Sequence, residues 1–220
     1  MKNRVIILWI IGLLLLGACQ PAPAPQEGKM QALVLDESPD SLLLLMDAKA
    51  PGKGANNLTD LCTMPVREMP AEMQVDTGGL LTFKVETMAE SFPCQLLADD
   101  FTVVSTPAQL TSHVYAANIN NAIALQQFGY GILIDVRTPE EYQTGHLPGA
   151  LLLPVDQIAQ EIQSVVPDKD TPVMVYCRSG NRSATAAKAL DKLGYTVIFD
   201  LGGIKDFTGA AVTGTEPGTP

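Results

Sequence analysis

Cationic side chains and histidines are scarce in this sequence: 14 lysines and arginines stand against 24 aspartates and glutamates, with 2 histidines. A net charge of −10 with no basic patch along the chain excludes nucleic acid as a partner. Neither His113 nor His146 has a carboxylate or a second histidine at ligand spacing, so no metal centre and no cofactor is predicted. His146 lies in Gly145-His146-Leu147-Pro148-Gly149-Ala150, a loop shaped by two glycines and a proline, and reads as a hydrogen-bonded loop residue. His113 reads as solvent-facing or as a local cap. Met64, Met69, Met73 and Met88 are irregularly spaced in apolar settings, which favours packing over copper binding. There is no internal repeat and no Cys-x-x-Cys pair.

The chemistry-bearing residues are concentrated in one loop. Pro172-Val173-Met174-Val175-Tyr176 is an apolar run that reads as a buried strand, and the small-residue stretch from Ser183 to Leu190 reads as a helix stopped at Gly194. Between them stand Cys177-Arg178-Ser179-Gly180-Asn181-Arg182. The first N–H groups of a helix lack intrahelical partners and carry the positive end of its dipole, so they favour an anion placed before them. A thiol at that point, flanked by two arginines, should ionise easily. Gly180 and Asn181 tolerate the left-handed backbone that curls successive N–H groups around one centre.

A second apolar strand, Gly131 to Val136, leads into Thr138-Pro139-Glu140-Glu141, a helix start with an N-cap threonine, proline at the first helical position and glutamate at the third. Asp135 and Arg137 therefore fall at a strand's carboxyl end, the side on which open α/β sheets bind ligands and on which Cys177 also falls. They read as a supporting pair that contacts substrate or steadies the loop. Further apolar runs at Leu151 to Pro154 and Thr196 to Leu201, alternating with helices, argue for a mostly parallel sheet with helices on both faces.

Four segments in order then resemble the rhodanese-like sulfurtransferases: Ile134 to Tyr142, Gly145 to Ala150, the Cys177 loop, and Leu201-Gly202-Gly203. Many members carry Trp a few residues after the Gly-Gly pair, where this chain has Phe207. The resemblance implies an α/β rhodanese-like domain over 107–210 and an enzyme that moves sulfane sulfur through a persulfide on Cys177. It implies substrate contacts from Arg178, Ser179, Gly180, Asn181, Arg182 and Ser183, a small anionic donor such as thiosulfate, and a thiol or protein acceptor. Arg182, together with Arg178, is expected to draw the anionic donor in. The related cysteine phosphatases have five residues between Cys and Arg, whereas this loop has four, which demotes a phosphatase reading. A sulfur carrier or interaction module with little free thiosulfate activity stays open as the alternative.

The amino terminus suggests where this chemistry happens. Lys2 and Arg4 precede an apolar run from Val5 to Leu16, shorter than the roughly 20 residues of a spanning helix, and Leu16-Gly17-Ala18-Cys19 follows. The pattern resembles a bacterial lipoprotein signal, with 1–18 removed and Cys19 lipidated, which makes the membrane a partner through the lipid. Gln20 beside Cys19 resembles outer-membrane-sorted lipoproteins. Residues 19–29 read as a proline-rich linker, and the globular part is expected outside the cytoplasm. With Cys19 and Cys177 so assigned, Cys62 and Cys94 are expected to pair as a disulfide. They lie in 30–106, where short apolar runs and turn signals suggest a small β-rich domain with its own core. Residues 211–220 are expected to form a flexible tail.

Overall fold

The structure is a computed structural model that describes residues 28–49, 54–56 and 60–220; the expected signal over 1–18, Cys19 and most of the expected linker lie outside the described residues. The first half is a closed five-stranded barrel of β1 (Met30–Glu37), β2 (Ser41–Met46), β3 (Leu61–Pro65), β4 (Leu80–Ala89) and β5 (Cys94–Ser105), in the order β1-β2-β3-β5-β4. β3 and β5 run parallel, and the other pairs are antiparallel. Cys62 faces Cys94 across the parallel pair, and the two are joined by a disulfide. Closing a loop of sequence separation 32 this way contributes about 3 to 4 kcal/mol in the chain-entropy account.

β1 and β2 are apolar at consecutive positions because they are buried on both sides. Side chains alternate along a strand, so Ala32, Val34, Leu42, Leu44 and Met46 fill the barrel with Met64, Leu81 and Phe83. Leu33, Leu35, Leu43 and Leu45 point the other way, into a cluster that also holds Tyr115, Ile119, Leu125, Leu133, Met174, Tyr176 and Phe199.

Those partners belong to the second half, β6 (Val114–Ala116), α1 (Ala122–Gln127), β7 (Ile132–Asp135), α2 (Pro139–Thr144), β8 (Leu151–Leu152), α3 (Ile158–Val165), β9 (Val173–Cys177), α4 (Asn181–Leu193) and β10 (Ile198–Gly203). The sheet order is β6-β10-β9-β7-β8 and every pair is parallel. α3 and α4 cover one face through Ile158, Ile162, Ala186, Ala187 and Leu190. α1, α2 and the barrel cover the other. Each half thus has a cluster of its own, and a third is shared between them. The shared layer is absent from the reading of two self-contained cores, because periodicity shows that a strand has two buried faces but not what buries the second.

The carboxyl terminus corrects a second expectation. Residues 211–220 do not fray: Val212 exchanges two backbone hydrogen bonds with His146, at 2.8 Å each. Gly149 N–H donates to the Pro217 carbonyl at 2.7 Å, and Gly214 N–H donates to the Gln143 carbonyl at 3.0 Å. Glycine, threonine and proline content suggested a loose end, but these bonds are main-chain ones to which composition is blind.

Candidate active site

Cys177 ends β9, the central strand, which is buried at every position. Gly180, in the left-handed region at φ 103°, is the N-cap of α4, so the chain turns sharply and the helix starts over the sulfur. Gly180 N–H donates to Cys177 Sγ at 3.1 Å. Burial alone would push the thiol's pKa up; the N–H groups of Ser183, Ser179, Gly180 and Arg182 outweigh that and hold it below its ordinary value of 9.0. Cys177 is 1% exposed, so the sulfur sits at the bottom of this ring, and its flank packs among Val136, Ala186 and Ile198.

β10 braces the loop from behind. A Cβ on Gly203 would lie 2.6 Å from the Arg178 carbonyl oxygen and 2.7 Å from Ser179 Cα, so only glycine admits this approach. Ser183 is fully buried, and its hydroxyl has Asp200 Oδ1 at 2.6 Å, the Gly180 carbonyl at 2.9 Å and the Gly202 carbonyl at 3.2 Å within reach. Asp200 also accepts from Gly202 N–H at 3.0 Å. Ser183 therefore fixes the first turn of α4 with its side chain and offers the sulfur its backbone N–H. Asp200 carries no signal in the sequence, because its partner Ser183 is 17 residues away and no local pattern links them.

Asp135 and Arg137 form a buried ion pair, 0% and 5% exposed, with Arg137 Nη2 donating to Asp135 Oδ2 at 2.6 Å. The same Nη2 donates to the Gly145 carbonyl at 2.6 Å, and the guanidinium lies over the Tyr176 ring. Tyr176 in turn accepts from Leu147 N–H at 3.0 Å. The pair thus steadies the 145–150 loop. His146 is fully buried in that loop, stacked on Tyr142 with centroids 3.6 Å apart, and its ring nitrogens meet the Tyr142 and Glu216 carbonyls. His113 is half-buried against Asp191 and the Pro107 carbonyl, far in sequence from the Cys177 loop.

The two loop arginines differ. Arg178 is exposed and enters no ion pair among the described residues. Arg182 is gripped at both ends by Glu141: Nη1 donates to Oε2 at 2.6 Å and Nη2 to Oε1 at 2.8 Å. The guanidinium beside it holds the Glu141 carboxyl at about 2, and Glu141 with the Cys177 sulfur raises the Arg182 pKa. Glu141 was legible as the glutamate of a capping box with Thr138, which it forms, but its reach to a residue 41 positions on was not. Asn181 opens α4 with an exposed side chain. The arrangement supplies an anion-stabilising ring, a sulfur nucleophile at its bottom and, in Arg178, an exposed cation without an ion pair among the described residues.

Residues 115–210 match the family described as Rhodanese-like domain. Over 81 residues the chain is 42% identical to thiosulfate sulfurtransferase PspE of Escherichia coli (strain K12), covering 37% of this chain and 78% of that protein. Over 105 residues it is 38% identical to the uncharacterized protein YqhL of Bacillus subtilis (strain 168), covering 46% and 82%. A solved structure described as rhodanese with anions from E. coli is 40% identical over 38% of this chain and 99% of its own, with a TM-score of 0.37. The barrel over 30–105 falls outside the family match. With a relative 42% identical over 78% of its length and the family match over 115–210, the chain belongs to the rhodanese-like family.

Proposed function

We propose that this protein is a cell-envelope sulfurtransferase that moves sulfane sulfur from thiosulfate or a persulfide to a thiophilic acceptor by way of Cys177. The observation that carries this is the ring of backbone N–H groups that lowers the thiol's pKa at the head of α4. The thiolate attacks the outer sulfur of thiosulfate; a new S–S bond forms, the donor's S–S bond breaks, and sulfite leaves with the electron pair. The persulfide's terminal sulfur then bears the negative charge, and the N–H groups of Ser179, Gly180, Arg182 and Ser183 stabilise it as an oxyanion hole stabilises oxygen. A nucleophilic acceptor takes that sulfur and restores the thiolate. Arg178, exposed at the rim and in no ion pair among the described residues, is positioned to meet an incoming anion.

The name carried by the E. coli relative supports thiosulfate as a donor. The envelope location rests on Lys2 to Cys19, read as a lipoprotein signal that leaves Cys19 lipidated in the membrane. The Cys62–Cys94 disulfide accords with an oxidising compartment. The near-complete burial of Cys177 favours, as a second reading, a carrier that takes sulfur from a docked protein rather than from free thiosulfate.

Cyanide-dependent thiocyanate formation from thiosulfate tests the reading. The intact protein should turn over, and Cys177→Ser should fall by at least about a hundredfold. Background rates in the reduced wild type would select the carrier role, and undiminished activity in Cys177→Ser would refute both.

A further inference from the structure

Arg182 is the cation closest along the helix to the sulfur's N–H ring, yet the end of its guanidinium between the two terminal nitrogens is already taken and its charge is offset. Its two terminal nitrogens donate to the two oxygens of Glu141 at 2.6 and 2.8 Å, with both side chains only about one-third exposed, 33% and 29%. Glu141 is itself anchored. Its Oε2 accepts from Thr138 N–H at 3.2 Å while its own N–H donates to Thr138 Oγ1 at 3.3 Å, so the carboxylate is held by the first turn of α2. A planar guanidinium can meet a carboxylate or a sulfonate side-on, but not both through the same two nitrogens. Around the loop the formal charges of Arg178, Arg182, Glu141 and the Cys177 thiolate cancel, so these side chains give an approaching dianion no long-range charge attraction beyond the N–H ring.

Resting on the sulfurtransferase reading above, we propose that Glu141 is a specificity-determining residue: by occupying Arg182 it withholds that cation from the donor's leaving group and biases the site against dianionic donors relative to monoanionic ones. The sulfonate end of a dianionic donor, which gathers both charges as sulfite departs, must either displace Glu141 or rely on Arg178 and the outer side of the Arg182 guanidinium. A donor whose leaving end bears less charge loses little by the same arrangement. Glu141 acts through Arg182, so its effect falls on donor binding rather than on the transfer step.

The test compares two donors with the same outer-sulfur chemistry and different charge, thiosulfate and methanethiosulfonate, in the wild type and in Glu141→Gln. Glutamine keeps the capping-box acceptor and removes the charge. The KM for thiosulfate should fall on the order of threefold to tenfold, with kcat little changed, while the KM for methanethiosulfonate moves by less than about twofold. The preference should fade as ionic strength rises. Glu141→Ala should shift the thiosulfate-to-methanethiosulfonate ratio of kcat/KM in the same direction. Because that ratio is taken within one protein, a loss of folded fraction cancels. An unchanged ratio in both variants, or a raised thiosulfate KM, overturns the proposal. Absence of sulfur transfer from either donor in the wild type would instead remove the sulfurtransferase reading on which it rests.

Discussion

At the residue scale the Cys177 loop was legible because its determinants are contiguous. A strand, a thiol, a Gly-Asn turn and a small-residue helix follow one another within 20 residues, and the structure arranges them as a ring of donors around the sulfur. Arg182, expected to draw the anionic donor in, has its charge offset by Glu141, a partner 41 positions away that no local pattern reveals. The lowered thiol pKa makes a pH prediction with a definite sign. A depressed folded value means that the thiolate's contribution to stability is present above the unfolded pKa and is lost as pH falls through the folded one. Alkylation of Cys177 by iodoacetamide should accordingly half-saturate below pH 9.0 in the folded protein and shift upward in denaturant. Coincident midpoints in the two states would contradict the ring's effect on the sulfur.

Among the elements, the sequence was most reliable where a signal is local. Thr138, Pro139 and Glu141 do form the capping box that starts α2, and Gly194 does end α4 in the left-handed conformation. α4 begins at Asn181, two residues before the apolar pattern suggested, because Gly180 rather than a hydroxyl side chain makes the turn. How β10 meets the loop was not legible: Leu201-Gly202-Gly203 marked an end of a strand, but only the fold shows that Gly203 presses on the backbone of Arg178 and Ser179. Gly203→Ala should therefore push the loop off its position. Activity should fall more than about tenfold and stability by roughly 1 to 3 kcal/mol, as for an overpacked core. Thiocyanate formation and urea unfolding read the two effects, and wild-type values for both would show that the contact is tolerant.

On the scale of the whole molecule, the barrel and the α/β half are joined by more than a linker. Leu33, Leu35, Leu43 and Leu45 form, with Tyr115, Ile119, Tyr176 and Phe199, one continuous apolar layer, and Asn56 adds a backbone bond to Ala116 at 2.6 Å. The unbroken leucines of β2 hinted that both faces of the strand are covered, yet the identity of the cover depends on tertiary placement, which periodicity does not encode. Leu33→Ala, on the outward face of β1, should cost about 2 to 5 kcal/mol and accelerate hydrogen exchange at Tyr115 and Ala117 as well as in the barrel. Exchange confined to the barrel would mean that the halves are stabilised independently. The sulfurtransferase proposed above requires this assembly to hold one transferred sulfur atom on Cys177. Mass spectrometry of the intact protein after exposure to thiosulfate reads this out: a gain of one sulfur mapped to Cys177 and lost on adding cyanide is expected, and an unmodified Cys177 after exposure to both thiosulfate and a persulfide donor would rule the persulfide out.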